Sequence, residues 1–354
     1  MVKNLLRCPT LTELPPPPPG KVGWPWTEET PPLGNTMMDG KPWPRISIVT
    51  PSYNQAQFLE ETIRSVLLQG YPNVDYIIID GGSTDASENI IRKYEPWLFY
   101  WVSEKDNGQS DAINKGWSHA QGEILAWINS DDSYKINALK MVSEFLSNRT
   151  DVDMMYGDCS MIDEKGQFIK NCPTMKFNLG ALVSNKWFIP QQSTFIRRKV
   201  LETIGGLKED LHLVMDWELW LRIALKGYKI VYLPNTLANF RIWTNAKTSS
   251  MSEQSGEEKI MVLNNLFENA DLLPKIYPFK KAAYCWVYRF AGVACYCNNH
   301  SKKTLLYLLK SIRYCPSQLK EKNIMKILIC SVVGLSRIRR LKEWYLYLAK
   351  VIKT

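Results

Sequence analysis

Between Arg45 and Ser147 the sequence alternates short apolar runs with amphipathic stretches, and this alternation limits the fold more than any other feature. "RISIVT" (45–50) reads as a strand, "AQFLEETIRSVLLQ" (56–69) as an amphipathic helix and "VDYIIID" (74–80) as a second, buried strand. A helix near 85–94, a strand at "LFYWVSE" (98–104), a helix near 109–120, a strand at "EILAWI" (123–128) and a helix near 134–147 continue the series. The pattern predicts an α/β fold with a doubly wound, mostly parallel sheet flanked by helices and joined by right-handed crossovers. Ligands of such sheets bind beyond the C-terminal strand ends.

The polar residues fall at those ends. Strand one runs into Thr50-Pro51-Ser52-Tyr53-Asn54, strand two into Asp80-Gly81-Gly82-Ser83-Thr84-Asp85, strand three into Glu104-Lys105-Asp106-Asn107-Gly108-Gln109, and strand four into Asn129-Ser130-Asp131-Asp132. Any one cluster is also ordinary capping chemistry for the helix that follows. Four together set carboxylates, amides, hydroxyls and glycines along one edge. Carboxylates at that density repel one another unless a cation or a donor-rich ligand neutralises them. Oxygen-only ligands suit Mg²⁺ or Mn²⁺, and Mg²⁺ is characteristically held by one or two carboxylates plus substrate phosphates. A nucleoside diphosphate with a divalent ion fits this edge.

The second half is less regular. "VDMMYGDCSMIDEKGQFIK" (152–170) reads as two strands around a turn at 164–166, "QQSTFIRR" (191–198) as a strand, "DWELWLRIALKG" (216–227) as a helix with a glycine cap, and "KIVYLP" (229–234) as a return strand. After about residue 249 the chain reads as helical. Residues 1–44, with "LPPPPPGKVGWPWTEETPPLG", form a Pro-rich arm in which Trp24 and Trp26 are candidate anchors. The expected organisation is therefore an arm (1–44), a catalytic α/β domain (45–248) and a basic helical extension (249–354). Net charge is +9, but 17 Lys/Arg against 3 Asp/Glu between Asp271 and Thr354 give that quarter +14, leaving residues 1–270 at −5. Eight cysteines without CxxC units and only three histidines argue against zinc and for reduced thiols in a cytoplasmic protein. No signal peptide is read, and "ILICSVVGL" (327–335) is half the length needed to cross a bilayer.

"ISIVTPSYNQAQFLEETIRSVLLQGYPNVDYIIIDGGSTDAS", "EKDNGQSDAINKGWSHAQGEILAWINSDD" and "MDWELWLR" together resemble a family 2 glycosyltransferase of the GT-A fold, over about Arg45 to Thr248. The resemblance implies inverting transfer of a sugar from a nucleotide-diphosphate sugar, UDP- or dTDP-linked, to a saccharide or lipid-linked acceptor in surface or extracellular polysaccharide synthesis. It places Pro51, Tyr53, Asn54, Asp80 and Asp85 around the nucleoside. The residue types agree: Asp85 can accept from a base N–H, Tyr53 can stack, and Gly81-Gly82 permit close backbone approach. Lys105, Asp106, Gly108, Asp111 and Asn114 would border the base and diphosphate.

"NSDD" matches the family's DxD-type element with Asn129 in place of the first aspartate. The resemblance makes Asp131 the metal ligand, and Asp132 the neighbour that orients a metal-bound water or the donor sugar. Asp216 would be the catalytic base; its bland reading is a helix cap, and Glu218 is the competing carboxylate. In "RIWTNAKTSS" (241–250) Trp243 stands where related enzymes often carry histidine, while Arg241 and Lys247 could neutralise phosphate. Gln191 and Gln192 are candidates for sugar hydroxyls.

The chain lacks a Q-x-x-R-W element and a bundle of membrane spans, so a non-processive enzyme is expected. A sugar nucleotidyltransferase would carry a Gly-rich loop with a basic residue after strand one, which "TPSYNQAQF" does not. A non-catalytic nucleotide- or glycan-binding module is the third reading. Residues 275–354 mix Lys/Arg with aromatics, as in "SRIRRLKEWYLYLAKVIKT" (336–354), which suits either peripheral contact with the inner face of the plasma membrane or a solvated helical cap packed on the catalytic domain. Nucleic acid is not an expected partner, because no recognised module accompanies the charge.

Overall fold

The computed structural model describes residues 7–172, 174–186, 188–247 and 252–333. Thr248 at the expected domain boundary and the tail 336–354 lie outside them. The chain divides into two compact units, Met1–Phe177 with Phe188–Thr244, and Asn178–Trp187 with Asn245–Thr354.

The elements in chain order are β1 (Ile46–Ser52), α1 (Ala56–Leu67), β2 (Val74–Asp80), α2 (Ser87–Tyr94), β3 (Tyr100–Ser103), α3 (Gln109–His119), β4 (Ile124–Trp127), β5 (Ser133–Tyr134), α4 (Ala138–Ser147), β6 (Met154–Ile162), β7 (Phe168–Cys172), α5 (Leu179–Val183), β8 (Thr194–Arg197), α6 (Arg198–Ile204), α7 (Met215–Leu225) and β9 (Ile230–Arg241). All except α5 belong to the first unit.

The nine strands form one sheet in the order β3-β2-β1-β4-β8-β6-β9-β5, with β7 paired to β6. Parallel pairing holds across β3-β2-β1-β4, as the βα alternation predicts. Beyond β4 the sheet is mixed: β8 runs antiparallel to β4 and β6, while β6 and β9 are parallel. β1 and β2 are buried along their whole length, which is why they read as unbroken apolar runs rather than alternating ones. Leu59, Ile63, Val66 and Leu67 of α1 join Ile46, Ile48, Tyr76 and Ile78 in one core.

Two departures from the sequence reading have a tertiary cause. The helix expected from 134 starts at Ala138, because Ser133 and Tyr134 pair with Asn239 and Ala238 of β9. The return strand expected at 229–234 continues to Arg241, and its ladder with β6 shifts register around Pro234, which has no amide hydrogen to contribute.

The arm is built onto the first unit. Arg64 of α1, fully buried, donates to the main-chain oxygens of Pro15 (2.9 Å), Pro25 (3.0 Å) and Trp26 (2.9 Å). The Trp24 indole N–H donates to the Tyr134 carbonyl (2.8 Å), and Trp26 and Trp43 are buried.

The second unit is helical: α5 with α8 (Glu253–Glu268), α9 (Leu273–Ile276), α10 (Lys280–Cys297), α11 (Ser301–Tyr314) and α12 (Lys322–Val333). Close packing uses small residues. A Cβ at Gly256 would lie 2.8 Å from Ala291, and one at Gly292 would lie 2.8 Å from Leu308. Among the described residues no helix is long and apolar enough to cross a membrane.

Candidate functional site

The loops after β1 and β2 are tied to each other. Asn54, left-handed at φ 51°, accepts from the Thr84 amide (2.8 Å) and its own amide donates to the Ser83 hydroxyl (2.8 Å). Asp85 accepts from the amides of Ala56 (3.0 Å) and Ser87 (2.9 Å). Burial disfavours the Asp85 charge, but the Ser87 and Ala56 hydrogen bonds outweigh it and hold its pKa below the ordinary value.

Asp80 is buried and accepts from the Ser83 amide and hydroxyl and from the Ser103 hydroxyl (2.7 Å), which draws the end of β3 into the same frame. Pro51 is buried in β1, whereas Tyr53 is 62% exposed beside it. Gly81 and Gly82 are needed as glycines: a Cβ on Gly81 would sit 2.7 Å from the Asp106 carboxylate, and Gly82 has φ +76° against the Lys105 backbone.

After β3 the chain turns at Gly108, φ +109°, into α3. Lys105 is exposed. Asp111 accepts from the Asn107 amide (2.8 Å), and Asn114 exchanges hydrogen bonds with the main chain of Leu207 (2.8 Å each way). The Ser110 hydroxyl donates to the Leu211 carbonyl (3.1 Å), so the segment before α7 is pinned to α3, with His212 beside Gly108.

The fourth strand end is the most heavily braced. Gln109 donates to the Asn129 side-chain oxygen (2.7 Å), joining the third loop to the fourth. The Thr62 hydroxyl of α1 lies 2.9 and 2.6 Å from the carbonyl oxygens of Ser130 and Asp132. Asp132 is 2% exposed and accepts from the Arg241 amide (2.9 Å). Burial, then the Asp131 charge, pushes its carboxyl well above the usual carboxylate range, against the opposing pull of Arg241 and Asn129.

Asp131 is partly exposed; its Oδ2 accepts from the Trp243 indole N–H (2.9 Å) and its carbonyl from Arg241 (2.8 Å). Arg241, read from the sequence as a phosphate contact, is itself only 2% exposed. Its guanidinium pairs with Glu61 (2.6 Å), reaches the carbonyls of Asp163 and Glu164, and stacks 4.8 Å from the Phe58 ring, which meets Trp243 edge-on. Arg241 is thus a brace beneath the two aspartates.

Asp216 lies in the first turn of α7, partly exposed, two residues past the cap position Val214, and its Oδ1 accepts from the Trp217 amide (2.7 Å). Trp220, one turn later on the same helix face, stacks on Trp127 at the end of β4 (5.6 Å), and Trp127 meets Trp117 of α3 edge-on. This stack packs the middle of α7 against the end of β4. Glu218 is 4% exposed and ion-paired to Arg222 (2.8 Å) and Lys208 (3.0 Å). Gln192 is buried, and Gln191 donates to the Trp127 carbonyl (2.7 Å) while its own side-chain oxygen is buried without a hydrogen-bond partner.

Glu61, Phe58 and Thr62 of α1 were not legible as site residues. They look like the polar and apolar faces of an ordinary amphipathic helix, and their partners are 68–185 residues away. Among the described residues no group of three or more His, Cys, Asp and Glu gathers as a metal site. The donor set at β4 is a single partly exposed carboxylate, since Asp132 turns inward and the Asn129 oxygen is engaged.

The family model described as Glycosyl transferase family 2 matches residues 47–205. An uncharacterised glycosyltransferase of Mycobacterium tuberculosis is 32% identical over 184 residues, covering 51% of this chain and 70% of the relative. The chain belongs to glycosyltransferase family 2. As a family 2 glycosyltransferase it is also 29% identical to TuaG of Bacillus subtilis, provisionally assigned to teichuronic acid biosynthesis, over 217 residues, 58% of this chain and 82% of that one. Membership removes the nucleotidyltransferase reading.

Among solved structures, Staphylococcus aureus TarS superposes with a TM-score of 0.56 at 17% identity, over 85% of this chain and 55% of TarS. TarS residues 1–349 have been solved with UDP-GlcNAc. The mannosyltransferase PcManGT of Pyrobaculum calidifontis, solved with GDP-Man and Mn²⁺, gives 0.54 at 20% identity, over 83% and 90%. At such identities the likeness is one of fold, and the fold is GT-A.

Proposed function

We propose that this family 2 glycosyltransferase moves one sugar per encounter from a nucleotide-diphosphate sugar to an acceptor hydroxyl, with inversion, in the synthesis of a surface or extracellular polysaccharide. The observation that carries the reading is the single polar rim. Hydrogen bonds join the four strand-end loops in series, Asn54 to Thr84, Ser103 to Asp80 and Gln109 to Asn129, and the rim ends at the partly exposed Asp131. Tyr53, Asn54 and Asp85 line its nucleoside end, with Pro51 and Asp80 shaping the backbone there; Lys105 and Asp111 flank the diphosphate.

Asp216 is the base. Its competitor Glu218 is buried and neutralised by two cations, which leaves Asp216 as the partly exposed carboxylate on that turn. Asp216 takes the acceptor hydroxyl proton as the oxygen bonds to the anomeric carbon, and the bond from that carbon to the diphosphate oxygen breaks with its electron pair leaving on the nucleoside diphosphate. One displacement inverts the centre. The donor set suits Mg²⁺ or Mn²⁺ bound mainly through the diphosphate with Asp131 as protein ligand, and such an ion would offset the charge of the departing group. The bound donors of TarS and PcManGT support a nucleotide sugar as substrate; a UDP- or dTDP-linked donor and a saccharide or lipid-linked acceptor are our reading, with the enzyme at the cytoplasmic side of the membrane.

The test is a panel of nucleotide sugars, with and without Mn²⁺, followed by calorimetry and donor hydrolysis. One donor class is expected to bind; if none binds in either condition the reading fails. Asp216→Asn is expected to lower transfer by about 10²–10⁴-fold with donor affinity retained, the range for loss of a general base. Unchanged transfer would instead favour a binding module or another base.

A further inference from the structure

α11 has two unlike faces. Thr304, Leu308 and Ser311 are buried, with the Ser311 hydroxyl donating to the Cys285 carbonyl of α10 (2.6 Å). On the opposite side Leu306 is 50% and Leu309 59% exposed, among exposed Lys302, Lys310 and Arg313. At 3.6 residues per turn these five fall within a single stripe about 100° wide, leucines between cations. Lys303, which lies off the stripe, is turned to Glu257 (2.9 Å) and Glu253.

α12 repeats the composition, with Lys322, Lys326 and exposed Ile329 on one side. Between 301 and 333 there are seven Lys/Arg and one acidic residue, Glu321, which is paired to Arg289 (2.7 Å).

We propose that the outer stripe of α11, extended by α12, seats the protein on an anionic lipid bilayer. Leu306 and Leu309 would enter the acyl boundary while Lys302, Lys310 and Arg313 meet headgroup phosphates. A soluble polyanion would need only the cations, and the leucines set between them would add nothing. The inference deepens the membrane-side reading given under Proposed function, but its test requires neither donor nor acceptor and so fails independently.

The test is co-sedimentation of the full chain with vesicles of phosphatidylcholine alone and of phosphatidylcholine with phosphatidylglycerol. Binding to the anionic vesicles is expected, and both Leu306→Ser/Leu309→Ser and Lys302→Gln/Lys310→Gln/Arg313→Gln are expected to weaken it about tenfold or more. Vesicle-free donor hydrolysis should be unchanged and thermal unfolding nearly so, since all five positions are exposed and the cation variant gives up one ring contact, Lys310 over Tyr288 (5.3 Å). No binding to anionic vesicles by the unaltered chain would overturn the proposal. So would retention of binding by the leucine variant, which would point to a polyanion, or by both variants, which would put the contact elsewhere.

Discussion

The Asn54–Asp85 end of the rim and the Asp131–Asp132 end occupy equivalent places after parallel strands, yet they are stabilised in opposite ways. At the first, loops hold loops: Asn54 bonds to Thr84 and Asp85 to Ala56, with the side chains largely exposed and each bond modest. At the second, a buried cation and two aromatic rings hold two adjacent carboxylates from beneath. Burial and the neighbouring Asp131 both disfavour the Asp132 charge, and the Arg241 amide and charge, with Asn129, oppose that shift. The rim therefore pairs an adaptable end with a fixed one.

Breaking the fixed end should cost most. Arg241→Met leaves Glu61 without its partner and should lower stability by about 3–5 kcal/mol in urea unfolding. A loss below about 1 kcal/mol, the range of an exposed pair, would show that the aspartates stand without the brace.

Trp243→Phe keeps the edge contact with Phe58 but removes the N–H to Asp131, for a loss of about 1 kcal/mol. Freed from that donor, Asp131 should interact more strongly with a cation, so Mn²⁺ should raise donor affinity more in this variant than in the parent. Calorimetry at matched Mn²⁺ concentrations decides, and an equal response would remove Trp243 as a control on the carboxylate.

The smallest effect belongs to the adaptable end. Because Asp85 has a lowered pKa in the folded state, it adds stability above its unfolded value of about 3.9, and loses it as pH falls through the folded value. Asp85→Asn should thus melt slightly below the parent at neutral pH and converge with it in acid. A gap that persists in acid would mean that shape, not charge, is what Asp85 supplies.

What the sequence made legible follows range. β1 to β4 and their helices were readable because each unit carries its own periodicity, and the polar strand ends because they follow those runs directly. β5 was not, since two residues become a strand only by pairing with β9. Arg241 read as a phosphate contact because the residue that neutralises it, Glu61, lies 180 positions earlier. Asn114, assigned by resemblance to the ligand border, bonds the segment at Leu207, a contact invisible to any local pattern.

The arm was legible in its anchors Trp24 and Trp26 but not in how it is gripped, and Arg64 explains the difference. Its guanidinium grips three carbonyl oxygens, at Pro15, Pro25 and Trp26, and a carbonyl is the same on every residue. The information for docking is thus divided between α1 and the arm's buried Trp26, whose ring lies 5.6 Å from the Arg64 guanidinium. Related chains that dock an arm in this way can be expected to keep the buried arginine together with an aromatic at the Trp26 position, while the arm between its anchors drifts.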